Sequence, residues 1–184
     1  MASTVTELLR RRFGGKKGIL PQGYTQLDYI QSANKSVVLT PYQSGDTFEI
    51  DAICDGFTRA NQILLGYGIG GGWWIGAMTN GKWGLGGGVY LDISANSRTL
   101  LQVTFTSSKA TLTANGLTAV RNGGASSGTI YIFGVSSNFP FNGKVYSIKK
   151  YNNNVVAAHF IPCTEDATSK IGFYDIINNN FIEY

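Results

Sequence analysis

The sequence has few of the residues that define metalloproteins, disulfide-rich proteins and membrane proteins. Its 184 residues include two cysteines, one histidine and four prolines, and only 14% are charged. Cys54 and Cys163 fit neither a zinc-ligand spacing nor a disulfide framework, so we interpret them as buried thiols. No stretch approaches the roughly 20 apolar residues of a membrane helix, and no signal-like apolar segment follows Met1. We therefore expect neither a membrane span nor conventional secretion.

The positive charge of the chain is confined to its first 18 residues. The net charge is +4, and residues 1–18 alone hold five Lys or Arg residues against Glu7. Residues 19–184 carry ten basic and ten acidic side chains and are neutral overall. A neutral body has little attraction for phosphate backbones, so we predict that it binds no nucleic acid.

Residues 1–18 are predicted to form an N-terminal anchoring arm with a short amphipathic helix. Thr4 and Glu7 fit the capping-box pattern, and Gly14-Gly15 ends the helical stretch. Apolar residues at helical spacing are accompanied by three arginines: Val5, Leu8, Leu9 and Phe13, with Arg10, Arg11 and Arg12. So short a helix is unstable alone in water, and its apolar stripe needs a surface on which to dock. An acidic protein surface is the predicted partner, and a solvated tail is the alternative.

From Pro21 onward the hydrophobic period changes to two. The segment 47–54 alternates cleanly and places Phe48, Ile50, Ala52 and Cys54 on one face. Similar β patterns occur at 36–40, 61–69, 73–78, 82–91, 99–106, 109–114, 129–135, 144–151, 155–161 and 171–184. Residues that tolerate the positive φ of tight turns separate them, at 80–81, 115–116, 122–124, 142–143, 152–154 and 178–180. We predict one all-β domain over residues 19–184, an antiparallel two-sheet β-sandwich of the jelly-roll type.

Three blocks of this domain resemble a known module. They read LPQGYTQLDYIQS from Leu20, GKVYSIKKYNNNVVAAHFIPC from Gly143 and IGFYDIINNNF from Ile171. Such blocks are similar to the concanavalin A-like lectin/glucanase (laminin-G-like) jelly rolls of gut Bacteroides phage and surface proteins. The resemblance spans residues 20–184. It implies two packed antiparallel sheets, and it implies glycan or protein binding more often than catalysis.

The opening segment 4–12 also resembles the leader of many Bacteroides phage proteins. The two resemblances together imply a non-enzymatic virion protein, a head decoration, fibre or tail adaptor made in the host cytoplasm. The arm would bind other virion proteins, and the jelly roll would be displayed as a homo-oligomer that binds host or mucosal glycans. The alternative is a free-standing carbohydrate-binding module.

Aromatic residues lie in and beside a glycine-rich stretch, residues 66–88, which contains 11 glycines. The candidates for stacking on sugar rings are Tyr67, Trp73, Trp74, Trp83 and Tyr90. The same side chains would serve equally well in the sandwich core or in subunit contacts. Trp73 and Trp74 are adjacent and point to opposite faces of a regular strand, so at most one of them is a core residue.

The least favoured alternative is a glycan hydrolase that uses Glu49 and Asp51. These two carboxylates share one face of a strand by period two. Glucanases of the resembled fold carry a third carboxylate farther along this strand, where the chain has Ile53 or Cys54. Retaining hydrolysis needs a carboxyl group that can donate a proton, and Asp55 would supply one only if the strand bulged. We therefore predict that the chain is not an enzyme.

No cofactor or metal site is predicted. The only histidine, His159, has no second histidine with which to hold a metal ion. Calcium occurs in some proteins of the resembled family, but no Asp/Asn cluster specifies it here. The GxGxxG text at 66–71 is followed by strand residues rather than a helix, so we interpret it as coincidental.

Overall fold

The computed structural model describes residues 18–32, 35–56, 61–67, 73–123, 127–134 and 141–184. Within these ranges sixteen strands form two antiparallel sheets, which confirms the predicted all-β sandwich. Residues 1–17, which contain the predicted anchoring helix, lie outside the described ranges. No helix long and apolar enough to span a membrane occurs in the described part of the chain.

The strands are, in chain order, β1 (Tyr24–Gln26), β2 (Ile30–Gln31), β3 (Val37–Gln43), β4 (Thr47–Cys54), β5 (Gln62–Tyr67), β6 (Trp74–Ala77), β7 (Lys82–Leu85), β8 (Val89–Ser94), β9 (Thr99–Phe105), β10 (Lys109–Ala114), β11 (Leu117–Asn122), β12 (Ser127–Ile132), β13 (Gly143–Asn152), β14 (Val155–Glu165), β15 (Ile171–Asp175) and β16 (Asn180–Glu183). The large sheet has the order β11-β10-β9-β4-β13-β14-β15-β16, and β1 and β2 pair with β14 and β13. The small sheet has the order β3-β12-β5-β6-β7-β8.

The core lies between the two sheets and follows the period-two pattern. In β4 the side chains of Phe48, Ile50, Ala52 and Cys54 are fully buried, as predicted, while the alternate residues face outward. An aromatic row fills the middle of the sandwich, with Phe141 stacked between Trp83 at 6.2 Å and Phe133 at 6.3 Å. Burial of these large rings supplies the main driving force for packing the sheets.

The strand boundaries differ from the predicted ones at glycine residues and at the edge of the large sheet. The predicted run 82–91 is wrong, because Gly87 and Gly88 adopt φ of +91° and +88° and turn the chain between β7 and β8. Gly143 was predicted to lie in a turn, but it is buried at the start of β13, where a Cβ would overlap the Ile53 carbonyl oxygen. The sequence reading also missed β11, an edge strand with little alternation.

Candidate functional site

The outer face of the large sheet contains a pocket where two central strands separate. β13 and β14 pair from Asn152↔Val155 as far as Ile148↔Phe160. Beyond that point β14 pairs with β1 and β13 pairs with β2. The connection between β1 and β2 therefore crosses the gap between the two central strands.

Pro162 lies on β14 where the strands separate. A strand residue directs its N–H and C=O toward the same neighbour, and proline has no N–H to give. The Pro162 carbonyl accepts a hydrogen bond from the Leu27 backbone N–H at 2.9 Å, so its imide nitrogen also faces the β1–β2 connection. A missing donor is tolerated here because the regular ladder between β13 and β14 has already ended.

A bulge in β13 brings a tyrosine to the pocket. The pairing of β13 with β4 shifts between Val145↔Ala52 and Ser147↔Asp51, which leaves Tyr146 as the extra residue. The Tyr146 ring lies 5.7 Å from the Tyr29 ring in an edge-on arrangement. It also lies beneath the Arg98 guanidinium, whose Cζ is 3.7 Å from the ring centroid.

The pocket has a volume of about 460 Å³ and polar walls. Its lining residues are Gln26, Leu27, Asp28, Tyr29, Asp51, Arg98, Tyr146 and Ser147. Arg98 donates from Nε to Asp51 Oδ1 at 2.8 Å and from Nη2 to Oδ2 at 2.6 Å. Hydrogen bonding to Asp51 raises the pKa of Arg98 further, so the guanidinium is charged at any physiological pH.

Arg98 keeps donors available after it has paired with Asp51. The two bonds use Nε and one N–H of Nη2, while the Nη1 group and the second Nη2 hydrogen have no acceptor in the described residues. The Arg98 side chain is 56% exposed, so these donors are open to a ligand. Stacking on Tyr146 and pairing with Asp51 hold the guanidinium in one orientation.

Asp28 provides the complementary acceptor. Among the described residues its carboxylate has no hydrogen-bond or ion-pair partner, although its charge acts on Arg98. The neighbouring Tyr29 ring is approached by Lys144 Nζ at 5.1 Å, and Lys144 also lies 3.5 Å from Asp55. The lining residues thus combine two carboxylates with one guanidinium, which leaves one negative charge in excess.

Glu49 and Asp51 share the outward face of β4, as the alternation predicts, and each is paired with a cation. Glu49 accepts a hydrogen bond from Lys149 Nζ at 2.9 Å, and Asp51 binds Arg98. The next outward position of β4 is Ile53, and β4 keeps its alternation through Cys54, so Asp55 follows the strand instead of entering it. Asp55 itself lies near Lys144. The row therefore has no free carboxyl group beside the two paired ones.

The aromatic residues predicted to stack on sugars occupy different environments. Trp83 is fully buried in the aromatic row, so it packs in the core and presents no face to a ligand. Trp73 is only 7% exposed and lies under Arg121, 4.3 Å from the guanidinium Cζ. Tyr67 is half-buried against Tyr42 at 5.6 Å.

The other two predicted aromatics are accessible. Trp74 is half-buried beside the β7–β8 turn. Tyr90 is 49% exposed on β8 with Lys82 Nζ 5.4 Å from its ring centroid. None of the five predicted aromatics lines the pocket on the large sheet. The predicted anchor residues 5–13 lie outside the described ranges.

Sequence reasoning named Asp51, as a candidate catalytic residue, but missed the other pocket residues because three separate structural features bring them together. β13 and β14 change pairing partners, β13 bulges at Tyr146, and Arg98 binds Asp51. Together these features bring four chain segments to the pocket. A signal was nevertheless present, since six of the eight lining residues lie inside two blocks that carry the family resemblance, 20–32 and 143–163. Asp51 and Arg98 lie outside them. No group of three potential metal-binding side chains occurs among the residues described.

The comparisons with known proteins support a fold and no more. No family model matches the sequence, and no curated protein matches it. The fold is similar to that of Trypanosoma rangeli sialidase solved in complex with the inhibitor DANA, with a TM-score of 0.50 and 13% sequence identity. The similarity covers 72% of this chain but only 27% of the sialidase chain. An identity this low shows a related fold alone, so the sialidase's activity is not transferred to this chain.

Proposed function

We propose that the chain is a non-enzymatic saccharide-binding module that takes its ligand in the pocket on the outer face of the large sheet. The observation that carries this proposal is a set of polar groups without partners among the described residues, the Asp28 carboxylate and the outer N–H groups of Arg98, beside the Tyr29 and Tyr146 rings. A sugar offers vicinal hydroxyls that both donate and accept, and C–H faces that pack on aromatic rings.

The electrostatics of the pocket favour a neutral sugar over an acidic one. Asp28 and Asp51 outnumber Arg98, so a ligand carboxylate would meet a net negative site. A hydroxyl can instead donate to Asp28 and accept from Arg98. The concanavalin A-like resemblance of the sequence, which implies glycan or protein binding, supports a saccharide ligand of either charge.

The chemistry of the outer face supports binding over hydrolysis. Glu49 and Asp51 are each held by a cation, and Ile53 occupies the place of the third carboxylate. A glycosidase needs one carboxyl group that can donate a proton to the leaving group, and this row of β4 has no further carboxyl group to supply it. Hydrolysis of a β-glucan that is lost in Glu49→Gln would overturn the non-enzymatic part of the proposal.

The binding proposal is tested by glycan-array screening followed by calorimetry on the strongest neutral binder. Loss of a charged acceptor costs about 1.5–3 kcal/mol, so Asp28→Asn should weaken binding by about tenfold or more. Tyr29→Leu should weaken it by a similar factor through lost ring contact. The matched control is Asp92→Asn, an exposed aspartate whose side chain is 84% exposed and which does not line the pocket.

Two results would reject the pocket as the binding site. One is the absence of any glycan ligand at millimolar concentration. The other is a ligand whose affinity falls equally in Asp28→Asn and Asp92→Asn, because the effect would then follow overall charge. The comparison of variants requires near-native unfolding curves for Asp28→Asn and Tyr29→Leu.

A further inference from the structure

Arg121 crosses from one sheet to the turn of the other. It lies on β11, the edge strand of the large sheet, and its guanidinium reaches the β7–β8 turn of the small sheet. A Cβ on Gly86 would lie 2.9 Å from Arg121 Nη1, and one on Gly87 would lie 3.0 Å from Arg121 Nε. The absence of side chains at this turn is therefore what leaves space for the guanidinium.

A second N–H donor meets Arg121 at the same turn. Trp74 Nε1 lies 2.5 Å from the position that a Gly86 Cβ would occupy, on the same glycine that Arg121 Nη1 approaches. The Trp73 ring, with Cζ of Arg121 4.3 Å from its centroid, holds the guanidinium in place. The Trp74 indole nitrogen and an Arg121 guanidinium nitrogen thus lie against the same glycine.

Neither donor has an acceptor within the described ranges. No described carboxylate lies within ion-pair distance of Arg121, and Trp74 Nε1 makes no hydrogen bond there. Asp92, on the adjacent β8, is already paired with Lys82 at 2.7 Å. Arg121 and Trp74 are both partly exposed, so solvent or a ligand can reach their outer edges.

The geometry points to a second binding site, in which Arg121 and Trp74 Nε1 bind an oxyanion, the carboxylate or sulfate group of a small organic ligand. Two neighbouring donors, one of them permanently charged, can bind two oxygens of such a group. Stacking on Trp73 fixes the guanidinium before the ligand arrives, which lowers the entropy cost of binding. This site lies on different strands from the pocket, carries the opposite charge and is independent of the proposed function.

Nuclear magnetic resonance of the ¹⁵N-labelled full chain tests the site directly. The chain has three tryptophans, so three indole N–H signals are expected, and Trp74→Phe identifies the Trp74 signal while keeping an aromatic ring. The probes are sodium glucuronate for the carboxylate, glucose 6-sulfate for the sulfate, and glucose as the uncharged reference. The Trp74 signal should shift saturably with at least one of the two anions and should not shift with glucose.

Variants separate this site from general attraction of anions. Loss of a charged hydrogen bond should raise the dissociation constant about tenfold in Arg121→Gln. Lys109→Gln removes an exposed cation from β10 and should leave the constant within about twofold of the parent value.

The proposal fails if neither anion shifts the Trp74 signal up to about 50 mM, a concentration well above a millimolar dissociation constant. It also fails if Arg121→Gln and the parent bind equally, or if Lys109→Gln loses as much affinity as Arg121→Gln. Arg121→Lys preserves the charge and the stem over Trp73. If Arg121→Gln does not fold, Arg121→Lys provides the test. It should still bind the anion more weakly, because a lysine ammonium does not present the planar set of N–H donors of a guanidinium.

Discussion

Asp46 is the most deeply buried carboxylate of the described residues, with 1% exposure. It accepts hydrogen bonds from the Gln43 backbone N–H at 2.8 Å and from Asn152 Nδ2 at 3.2 Å, and it pairs with Lys150 Nζ at 3.0 Å. Lys150 also donates to the Pro41 carbonyl, so this cluster joins the edge of the small sheet to β13 of the large sheet. The charges are tolerated because each has several partners.

Asp46→Asn should therefore destabilise the domain strongly. The substitution leaves the Lys150 ammonium, which is 13% exposed, without its counter-charge, and breaking such a pair costs about 3 kcal/mol. Urea unfolding of the full chain measures the change. Asp92→Asn, at an exposed pair, is the control and should change the unfolding free energy far less than Asp46→Asn. Equal curves for the two variants would contradict the role of this cluster.

His159 is expected to make stability depend on pH near neutrality. Desolvation lowers its pKa below the ordinary 6.5, and the nearby Lys149 lowers it further, against smaller opposing effects of Asp175 and Glu49. The unfolded chain therefore binds the proton more readily than the folded one. Its contribution to stability is complete above about pH 6.5 and is lost as the pH falls through the lower folded pKa.

Urea unfolding between about pH 8 and pH 5.5 tests this dependence, a window above the ordinary carboxylate range. The free energy of unfolding should fall as the pH is lowered in the parent protein. His159→Gln should remove most of the slope, and since the chain has one histidine, no other imidazole can produce it. An unchanged slope in His159→Gln would assign the effect to other groups.

At the scale of elements, close approach of strands explains glycines that the sequence pattern leaves unexplained. Gly76 on β6 faces the Gln62 carbonyl of β5, and a Cβ there would overlap that backbone oxygen. Gly116, in the β10–β11 turn, has φ of +77° but open space around its missing Cβ. Gly76 is therefore required by the close approach of β5 and β6, and Gly116 is required by the positive φ of its turn.

Gly76→Ala should accordingly be much more damaging than Gly116→Ala. Backbone atoms of β5 cannot move aside without breaking the ladder, so we expect a loss of about 3 kcal/mol or failure to fold. Gly116→Ala places an ordinary residue in the left-handed region and should cost about 1 kcal/mol. Chemical denaturation of both variants gives the comparison, and similar losses would show that β5 and β6 adjust more easily than the spacing suggests.

Turns were easier to predict than strand edges, for a physical reason. Asn115-Gly116 and the turn between β13 and β14 use Asn and Gly at positive φ, a local property of the backbone. β4 and β10 were predicted with their observed bounds because one of their faces is buried throughout. β1 and β2 were not predicted, since strands of three and two residues contain too few positions for a period.

At the scale of the whole molecule, both thiols are buried, and Cys54 lies in the core between the two sheets. Cys54 and Cys163 are fully buried and unpaired. Burial raises the pKa of Cys54 and raises that of Cys163 to about 12. The thiolate, which is the reactive form, is therefore suppressed in the folded protein.

Thiol labelling should then report global opening of the sandwich. At about pH 8 an aromatic disulfide reagent should react with neither cysteine in the native state on the time scale of free thiols. Both should react rapidly in concentrated guanidinium. One fast-reacting thiol in the native protein would show a local opening at that cysteine, and Cys54→Ala or Cys163→Ala would identify which one.

Association with a phage particle remains a prediction, since it rests on sequence resemblance and on residues 1–18. Sedimentation of the protein in a lysate of its source should place the full chain with megadalton particles, and deletion of residues 1–18 should abolish incorporation while leaving a folded β domain. Sedimentation near 20 kDa or as a small oligomer would contradict the virion role. It would leave the saccharide-binding proposal unchanged, because the pocket is built only from residues after the arm.

The sequence by itself determined the all-β class, the two-sheet arrangement, most turns and the inward face of strands such as β4. These follow from local backbone preference and from period-two burial, both of which act within a few residues. Only the tertiary structure decided the sites. Arg98, Asp51, Asp28 and Tyr146 meet because β13 bulges and separates from β14, and Arg121 reaches Trp74 because two sheet edges adjoin. These contacts depend on the pairing of strands that are distant in sequence. A local hydrophobic pattern does not contain the geometry of that pairing.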